Sequence, residues 1–391
     1  MLPDFLDIVH ASERLLSAQC RESIQITDVQ QISEPERRNL LLRLTLAPNT
    51  SLPTHLIVKQ VVATLYNPDA LESWDTQRFY CDWLGAQFLS ELPNNPNHGP
   101  RFFGGHRVQG FIILEDLGSN HQSLVEPLLE GDASTATAVL IQFAQRLGQM
   151  HADTLGMDNE FTKLRQELDP EMAFPSTSSV FGQLPITKIL ENLTILGCEV
   201  EQNCQEEIRR INQIVANPGP FTAYIHQDAC PDNFVLHESG LRIIDFECGG
   251  MGHALIDILY ARIPFPSCWC CNRIPSDLVR KMEEAYRTAL SKTCVAARDE
   301  GRFYKELTML CGYLMLHMFQ FDVENLLEED EAWGIATIRS RVLSRLDAFV
   351  EASNEFGHLP ALQMLATQLT GRLRAQWPES EPLPLYPVFC R

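Results

Sequence analysis

Residues 225–246, with the sequence IHQDACPDNFVLHESGLRIIDF, carry an ordered group of polar side chains between apolar runs. His226 and Asp228 form an H-x-D pattern, Asn233 follows the aspartate by five residues, and Asp245 ends the second of two apolar runs. The tetrapeptide HESG separates these runs and predicts a hairpin. We therefore expect Asn233 and Asp245 to lie at the same end of the hairpin, with Asp228 on the loop that leads to that end.

These residue types suit phosphate chemistry. Carboxylate and amide oxygens are hard ligands of the kind that Mg²⁺ prefers. A carboxylate that does not bind the metal can orient a substrate hydroxyl and accept its proton. Taken singly, His226 also fits a core histidine, and Asn233 and Asp245 also fit turns. The complete order of apolar run, loop and hairpin favours a catalytic site.

The composition limits the partners. The chain has 391 residues, 31 basic and 51 acidic, for a net charge of −20. Such a field repels nucleic acid and anionic membrane surfaces, but it admits cationic small molecules and metal-bound anions. The N-terminal MLPDFLDIVHASERLL does not resemble a signal peptide, and no apolar run approaches the length of a membrane span. We expect a cytoplasmic protein whose twelve cysteines are free thiols.

The first part of the chain mixes strands with a helix. Residues 39–46 and 55–62 are apolar runs that predict an antiparallel hairpin, and 111–114 predict a short buried strand. Residues 71–92 have helical spacing, with an apolar stripe that includes Trp74.

The remainder is mostly helical in pattern. Apolar residues recur at helical spacing in five segments: 135–155, 186–216, 277–297, 303–327 and 336–352. The proline-rich tail from Trp377 is expected to run extended over the surface. The sequence therefore predicts an α+β fold with an N-terminal lobe, 1–115, and a larger C-terminal lobe, 116–391, joined by a hinge near residues 115–118.

The motifs HQDACPDN and IIDFE resemble the catalytic and metal-binding loops of the aminoglycoside phosphotransferase and choline kinase-like family. These enzymes are small-molecule kinases with a protein-kinase-like bilobal fold. The resemblance covers most of the chain, since FIILEDLG resembles the family's strand and hinge and QRLGQMHADTLG the following helix. It implies ATP and Mg²⁺ as cofactors and a small-molecule hydroxyl as acceptor.

The same resemblance assigns roles to residues. Asp228 matches the catalytic base or hydroxyl-positioning carboxylate. Asn233 and Asp245 match the Mg²⁺ ligands. Lys59, in LIVK, matches the strand lysine that neutralises the α- and β-phosphates.

Further positions match the nucleotide site and its support. Asn39 stands where such enzymes often have an asparagine before the second strand, and Glu115 and Leu117 stand where the hinge backbone holds the adenine. His226 and Asp257, the latter in GHALIDILY, match residues that support the catalytic loop.

Other features depart from the protein-kinase pattern. The carboxylate partner of Lys59 is either Asp82 or, with less support, Glu72. No glycine occurs in residues 32–39, where protein kinases have a glycine-rich loop. Phe-Glu rather than Phe-Gly follows Asp245, and no Ala-Pro-Glu motif follows. These departures argue against a protein substrate.

The leading hypothesis is therefore an ATP-dependent phosphotransferase acting on an aminoglycoside-like antibiotic, an amino alcohol or a sugar. A nucleotide-binding pseudokinase that acts as a scaffold or sensor is the alternative, and a protein kinase is a third hypothesis. The acceptor, the choice between ATP and GTP, and the oligomeric state stay open.

A cysteine cluster, Cys268-Trp269-Cys270-Cys271, contains a C-x-x-C pattern. Zinc sites usually have a second such pair, and the sequence contains none. We therefore expect buried thiols here. The thiol of Cys230, within the catalytic motif, is likewise expected to be inert packing.

Overall fold

The computed structural model describes residues 5–34, 37–48, 50–62, 66–93, 96–118, 122–169 and 182–390. The chain forms two compact units. The first comprises Met1–His121, Asn159–Ser176 and Val235–Gly250, and the second comprises Gln122–Asp158, Thr177–Phe234 and Met251–Arg391. The division into lobes at residues 115 and 116 stays a prediction.

Twelve strands and thirteen α-helices are present in the described part of the chain. The strands are β1 (Ile26–Gln31), β2 (Asn39–Leu46), β3 (His55–Val61), β4 (Phe102–His106), β5 (Phe111–Glu115), β6 (Gln122–Ser123), β7 (Thr222–Ile225), β8 (Phe234–His237), β9 (Gly240–Ile243), β10 (Gly250–His253), β11 (Ala332–Trp333) and β12 (Ala336–Thr337). The helices are α1 (Leu6–Cys20), α2 (Trp74–Ser90), α3 (Val125–Leu129), α4 (Ala133–Asp153), α5 (Asp158–Leu168), α6 (Ile186–Ile195), α7 (Gln202–Ala216), α8 (Leu255–Arg262), α9 (Ser276–Leu290), α10 (Glu300–His317), α11 (Glu324–Glu328), α12 (Ile338–Phe356) and α13 (Pro360–Gln376).

A five-stranded sheet organises the first unit. Its strand order is β1-β2-β3-β5-β4, and the neighbouring strands are antiparallel. The hairpin predicted at 39–46 and 55–62 is confirmed as β2 and β3, with Leu41 opposite Lys59. Lys59 also lies opposite Ile112 of β5, so this lysine sits on the central strand.

The two faces of this sheet have different environments because side chains alternate along a strand. Leu42 and Leu44 of β2 and Val58 of β3 are fully buried in the core that also contains Ile8 of α1. Each such side chain contributes about 1.5–3 kcal/mol of hydrophobic stabilisation. The register of this core therefore presents Lys59 on the opposite face.

The second unit is mostly helical. Its longest helix, α4, begins at Asp132, whose side chain accepts hydrogen bonds from the N–H groups of Ser134 and Thr135 and so caps the helix. Sheet in the N-terminal part and helices in the C-terminal part confirm the predicted α+β class. No helix in the described ranges is both long enough and apolar enough to cross a bilayer.

Three predicted helical segments are interrupted, and one of them, 277–297, divides into α9 and a 3₁₀ turn at Val295–Arg298. The segment 186–216 forms two helices, α6 and α7, because the chain reverses at Gly197, whose φ of 78° favours glycine. The segment 303–327 divides into α10, a short 3₁₀ turn and α11. Helical periodicity alone does not mark such breaks, since both sides of each break keep the same apolar spacing.

Two further sequence expectations were wrong in part. Trp74 begins α2 and is 47% exposed, so it does not belong to the buried face of that helix. The tail after Trp377 is extended, but it is anchored by buried side chains as well as running over the surface. Trp377 is 3% exposed and Tyr386 is fully buried. The prolines identify extended backbone, but they do not show which neighbouring aromatic side chains become buried.

Candidate functional site

The first unit contains a cleft of about 640 Å³ on the face of the sheet opposite α1. Four residues predicted for the nucleotide site line it: Asn39, Lys59, Glu115 and Leu117. Asp82 and Asp245 line the same cleft. The structure therefore gathers these six residues within one unit.

Lys59 lies between two carboxylates in this cleft. Its Nζ is 2.8 Å from Oδ2 of Asp82 on α2 and 2.5 Å from Oδ1 of Asp245. The other oxygen of Asp82 accepts the N–H of Phe246 at 3.0 Å. Asp82 thus holds both the lysine and the backbone next to Asp245.

The charge on Lys59 is stabilised by these neighbours. Burial opposes the charge, but Asp245 and Asp82 outweigh it and raise the pKa of Lys59. Asp245 itself has a φ of 66°, a conformation that aspartate tolerates better than most residues. The lysine is therefore a fixed positive charge at neutral pH, although the protein is strongly acidic.

A second ion pair lies beside the predicted hinge. Arg43 of β2 donates to both carboxylate oxygens of Asp116, at 2.6 and 3.1 Å, and the N–H of Gly118 donates to Asp116 at 2.8 Å. Although burial opposes ionisation, these hydrogen bonds lower the pKa of Asp116. The hinge residues Glu115 and Leu117 thus flank a carboxylate that is fixed in place.

The sequence analysis missed the arginines of this cleft. Arg38 pairs with Asp75, and Arg78 pairs with Glu247. Arg43 could have been predicted from strand alternation. It lies two residues after Leu41, on the same face of β2, and Leu41 is opposite Lys59. The glycine-free segment 32–39 contributes Ser33, Arg37 and Arg38 to the lining, while its residues 35 and 36 lie outside the described ranges.

The predicted catalytic loop lies in the second unit, between β7 and β8. Asp257 of α8 is fully buried and binds the backbone of this loop. Its carboxylate accepts the N–H groups of His226 at 2.7 Å and Gln227 at 2.9 Å, and it lies 3.0 Å from Nε2 of His151. These contacts fit the supporting position proposed for Asp257. They also hold Gln227 in a left-handed conformation with φ of 63°.

The environment keeps Asp257 ionised. Burial alone would raise its pKa, but the hydrogen bond from His151 and the nearby charges of His151 and His226 hold the pKa below the ordinary value. His151 lies in turn 2.7 Å from the hydroxyl of Tyr286. The motif that contains His151 was identified, but its spacing gave no signal that this side chain reaches α8.

Both carboxylate oxygens of Asp228 accept hydrogen bonds. Its Oδ2 accepts the side-chain N–H of Asn233 at 3.0 Å, and that amide also donates to the Asp228 carbonyl at 2.9 Å. Its Oδ1 accepts the hydroxyl of Ser267 at 2.5 Å and lies 3.1 Å from Sγ of Cys230. The loop therefore fixes one carboxylate orientation.

Ser267 and Tyr260 complete this support, and the sequence analysis missed both. Ser267 lies 3.0 Å from the hydroxyl of Tyr260, which donates to the carbonyl of Gln227 at 2.5 Å. Burial is the main cause that raises the pKa of Tyr260. Tyr260 ends the motif GHALIDILY and Ser267 lies seven residues later, but neither position indicates a contact with the catalytic loop, so only the three-dimensional structure connects them with Asp228.

The model of the phosphotransferase enzyme family matches residues 86–304, more than half of the chain. No curated protein matches the chain in sequence.

Solved structures that are similar to this chain at low identity include several kinases. An ethanolamine kinase from Plasmodium vivax is 13% identical, with 88% of this chain and 86% of that chain covered and a TM-score of 0.46. A choline kinase from Streptococcus pneumoniae is 14% identical, with 88% and 99% covered and a TM-score of 0.40. A choline/ethanolamine kinase family protein from Mesorhizobium loti is 15% identical, with 91% and 99% covered and a TM-score of 0.45.

The family model begins in the last turn of α2 and spans the catalytic loop with Asp228, the strand that precedes Asp245, and α8 with Asp257. The α+β architecture and the order of these motifs agree with that match, and the protein-kinase-like fold implied by the motifs is confirmed with it. The chain belongs to the phosphotransferase enzyme family.

Proposed function

We propose that the protein transfers the γ-phosphate of ATP, as its magnesium complex, to a hydroxyl group of a small molecule. The observation that carries this proposal is the set of ordered contacts around Lys59 in the first unit and Asp228 in the second. Phosphoryl transfer depends mainly on positioning and on electrostatic stabilisation, and these contacts supply both.

Lys59 is assigned to the α- and β-phosphates. A rigid strand carries it, and Asp82 holds its ammonium group by a 2.8 Å ion pair. When a phosphate oxygen replaces Asp245 as the second partner of Lys59, the ammonium group keeps two anionic partners. The hinge segment with Glu115 and Leu117 is assigned to the adenine, and Asn39 to the phosphate end of the cleft.

Asp228 is assigned to the acceptor hydroxyl. Asn233 and Ser267 each donate to one of its oxygens, so the carboxylate is held as an acceptor in a fixed orientation. In this role Asp228 aligns the hydroxyl and takes its proton as the phosphoryl group is transferred. Asp257 holds the loop that carries Asp228 and is a positioning residue.

Asn233 and Asp245 are assigned to magnesium. Their oxygen donors are the hard ligands that this ion requires, and the Asn233 amide directs its N–H group to Asp228, which leaves its oxygen outside those bonds. When bound, the ion would neutralise phosphate charge. The assignment rests on the donor chemistry and on the motif order.

A cationic acceptor is favoured by charge and by one aromatic side chain. The chain carries a net charge of −20, and Glu328–Glu331 of the second unit adds an acidic run. Trp269, 42% exposed, lies two residues from Ser267 and donates to Asp232 at 3.0 Å. An indole face beside a carboxylate attracts a cation by about 0.5–2 kcal/mol.

The test is a screen of hydroxylated compounds, read by ADP release with Mg-ATP and with Mg-GTP. The panel pairs amino alcohols and aminoglycosides with neutral sugars of similar size. ATP hydrolysis without acceptor supplies the background. We expect acceptor-dependent ADP release, with cationic acceptors preferred.

Two results would contradict the proposal. Tight Mg-ATP binding without transfer to any acceptor would favour the pseudokinase. Labelling of a generic protein substrate, but of no small molecule, would favour a protein kinase.

A further inference from the structure

Four side chains with metal-binding atoms meet in the second unit, and none of them is assigned to catalysis, to the nucleotide or to magnesium. Cys230 and Asp232 come from the loop before β8, and Cys268 and Cys270 come from the segment between α8 and α9. One ligand atom each of Cys230, Asp232 and Cys268 lies within 4.8 Å of the other two. The sulfur of Cys270 lies 3.0 Å from that of Cys268.

The spacing suits a tetrahedral metal site. Zinc bonds to sulfur at about 2.3 Å and to oxygen at about 2.0–2.2 Å, which separates neighbouring ligand atoms by roughly 3.5–3.8 Å. Cys230, Asp232 and Cys268 therefore need only a small adjustment to surround one ion. The three thiols are nearly inaccessible, with exposed fractions of 2% for Cys230, 1% for Cys268 and 0% for Cys270.

The carboxylate of Asp232 gives an independent indication of a ligand. Its Oδ1 is buried and has no hydrogen-bond partner among the residues that the structure describes. Its Oδ2 accepts the indole N–H of Trp269 at 3.0 Å. A ligating carboxylate typically has this arrangement, in which one oxygen faces the metal and the other accepts a hydrogen bond from a neighbour.

Nearby positive charge suits a site built from anionic ligands. Arg341 is 4% exposed and donates to the carbonyl of Cys268 at 2.9 Å. Arg345 donates to the carbonyl of Pro266 at 2.5 Å. A divalent cation with two or three thiolates and one carboxylate carries net negative charge, and these guanidinium groups offset it.

We propose that Cys230, Asp232 and Cys268 bind one thiophilic divalent cation of the zinc type. Binding forms metal–sulfur bonds and releases the thiol protons to solvent, so no oxidant is required. The sequence pattern did not predict this site, because zinc sites usually have a second C-x-x-C pair. Here Cys230 and Asp232 take the place of that pair, and both lie within the catalytic motif.

Metal binding would act on the catalytic loop. The thiol of Cys230 lies 3.1 Å from Oδ1 of Asp228, and ligation removes its proton from that contact. The bound ion would also connect the loop to the segment that carries Ser267. The site therefore couples the supply of a thiophilic metal to the position of Asp228.

The experiment uses the full, reduced chain and measures metal binding without any activity assay. Zn²⁺ affinity is measured by competition with a chromophoric chelator, and Co²⁺ serves as a spectroscopic probe of thiolate ligation. We expect one equivalent of metal and sulfur-to-cobalt charge-transfer bands. Cys230→Ser and Cys268→Ser each weaken binding at least tenfold, and both substitutions together abolish the bands.

Matched controls separate this site from others. Cys204→Ser changes a buried thiol of the same unit, and Cys390→Ser removes an exposed thiol, so neither should alter the affinity. Asp232→Asn keeps every thiol and should weaken zinc binding at least tenfold. If the cysteine variants fail to fold, the zinc affinity of Asp232→Asn tests the proposal.

Several results would overturn the proposal. These are less than one equivalent bound at micromolar zinc, equal affinity in wild type and Asp232→Asn, and loss of binding only in Cys390→Ser. Fewer than twelve titratable thiols in the denatured, unreduced chain would indicate a disulfide and would also contradict it. Because no arm depends on phosphotransfer, failure here is distinct from failure of the proposed function.

Discussion

Asp257→Asn keeps the shape of a buried side chain and removes its charge. In the wild type one oxygen accepts from His226 N–H at 2.7 Å and lies 3.0 Å from His151, and the other accepts from Gln227 N–H at 2.9 Å. The asparagine oxygen can retain one of these positions. Its NH₂ group takes the place of the other oxygen and faces an N–H group of the protein. Two donors cannot form a hydrogen bond, so one bond is lost and that buried N–H has no acceptor.

The expected cost follows from these contacts. A buried donor that loses its acceptor costs about 1–3 kcal/mol, and the remaining bonds lose the contribution of a charged acceptor, about 1 kcal/mol. We therefore expect Asp257→Asn to lower the free energy of unfolding by about 2–4 kcal/mol at pH 7. Asp277→Asn, at an exposed aspartate of α9, is the control and should change it by less than about 0.5 kcal/mol.

Chemical denaturation measures the total effect, and hydrogen exchange of a peptide covering 222–234 measures the local one. The loop amides should lose protection in Asp257→Asn, and turnover should fall with them. The pKa of Asp257 is lowered in the folded protein, so its contribution is present above about pH 4 and is lost as the pH falls through the folded pKa. A change in the free energy of unfolding below 1 kcal/mol at pH 7, with unchanged exchange, would refute this reasoning.

Three other substitutions test separate parts of the structure. Lys59→Met should weaken Mg-ATP binding about tenfold or more in calorimetry, whereas the exposed Lys188→Met should leave it unchanged; equal affinities would exclude Lys59 from the phosphate site. With a chelator present, Asp232→Asn should stabilise the protein at pH 8 by up to about 3 kcal/mol. Burial, followed by the charges of Cys268 and Asp228, raises the pKa of Asp232 to about 6. The gain in the free energy of unfolding should therefore vanish as the pH falls towards 4, where the wild-type carboxyl is protonated. A gain that persists at pH 4 would contradict this cause. Glu283→Gln breaks the buried ion pair with Arg262, whose nitrogens lie 2.7 and 2.9 Å from Glu283. It should lower the free energy of unfolding by about 3 kcal/mol in chemical denaturation. A loss below 1 kcal/mol would show that Glu355, the other partner of Arg262, compensates.

Patterns within one stretch of chain predicted much of the fold. The apolar runs 39–46 and 55–62 predicted the hairpin, and one face of each strand is buried in the core. Helical spacing located α4 to within two residues at each end and the start of α9 to within one residue, but it extended α9 seven residues too far. The break at Gly197 was missed because apolar spacing continues across it.

The candidate site shows the same division between local and long-range information. The motifs identified Lys59, Asp228 and Asp257, since each lies in a recognisable local pattern. Arg43 was missed because strand register brings it to the cleft of the first unit, and Ser267 was missed because it contacts Asp228 of the second unit from far along the sequence. The buried thiols expected at Cys268, Cys270 and Cys271 are confirmed, but the sequence could not show that Cys230, 38 positions before Cys268, lies close to them.

The role of Asp228 is the central claim, and Asp228→Asn tests it most directly. With an acceptor found in the screen, transfer from γ-labelled ATP and the affinity for Mg-ATP are measured on the same preparation. We expect kcat to fall by about 10²–10⁴-fold, because the variant lacks the carboxylate that aligns the hydroxyl and accepts its proton, while the affinity for Mg-ATP stays within about twofold. A variant that retains more than about a tenth of the wild-type kcat would contradict the account.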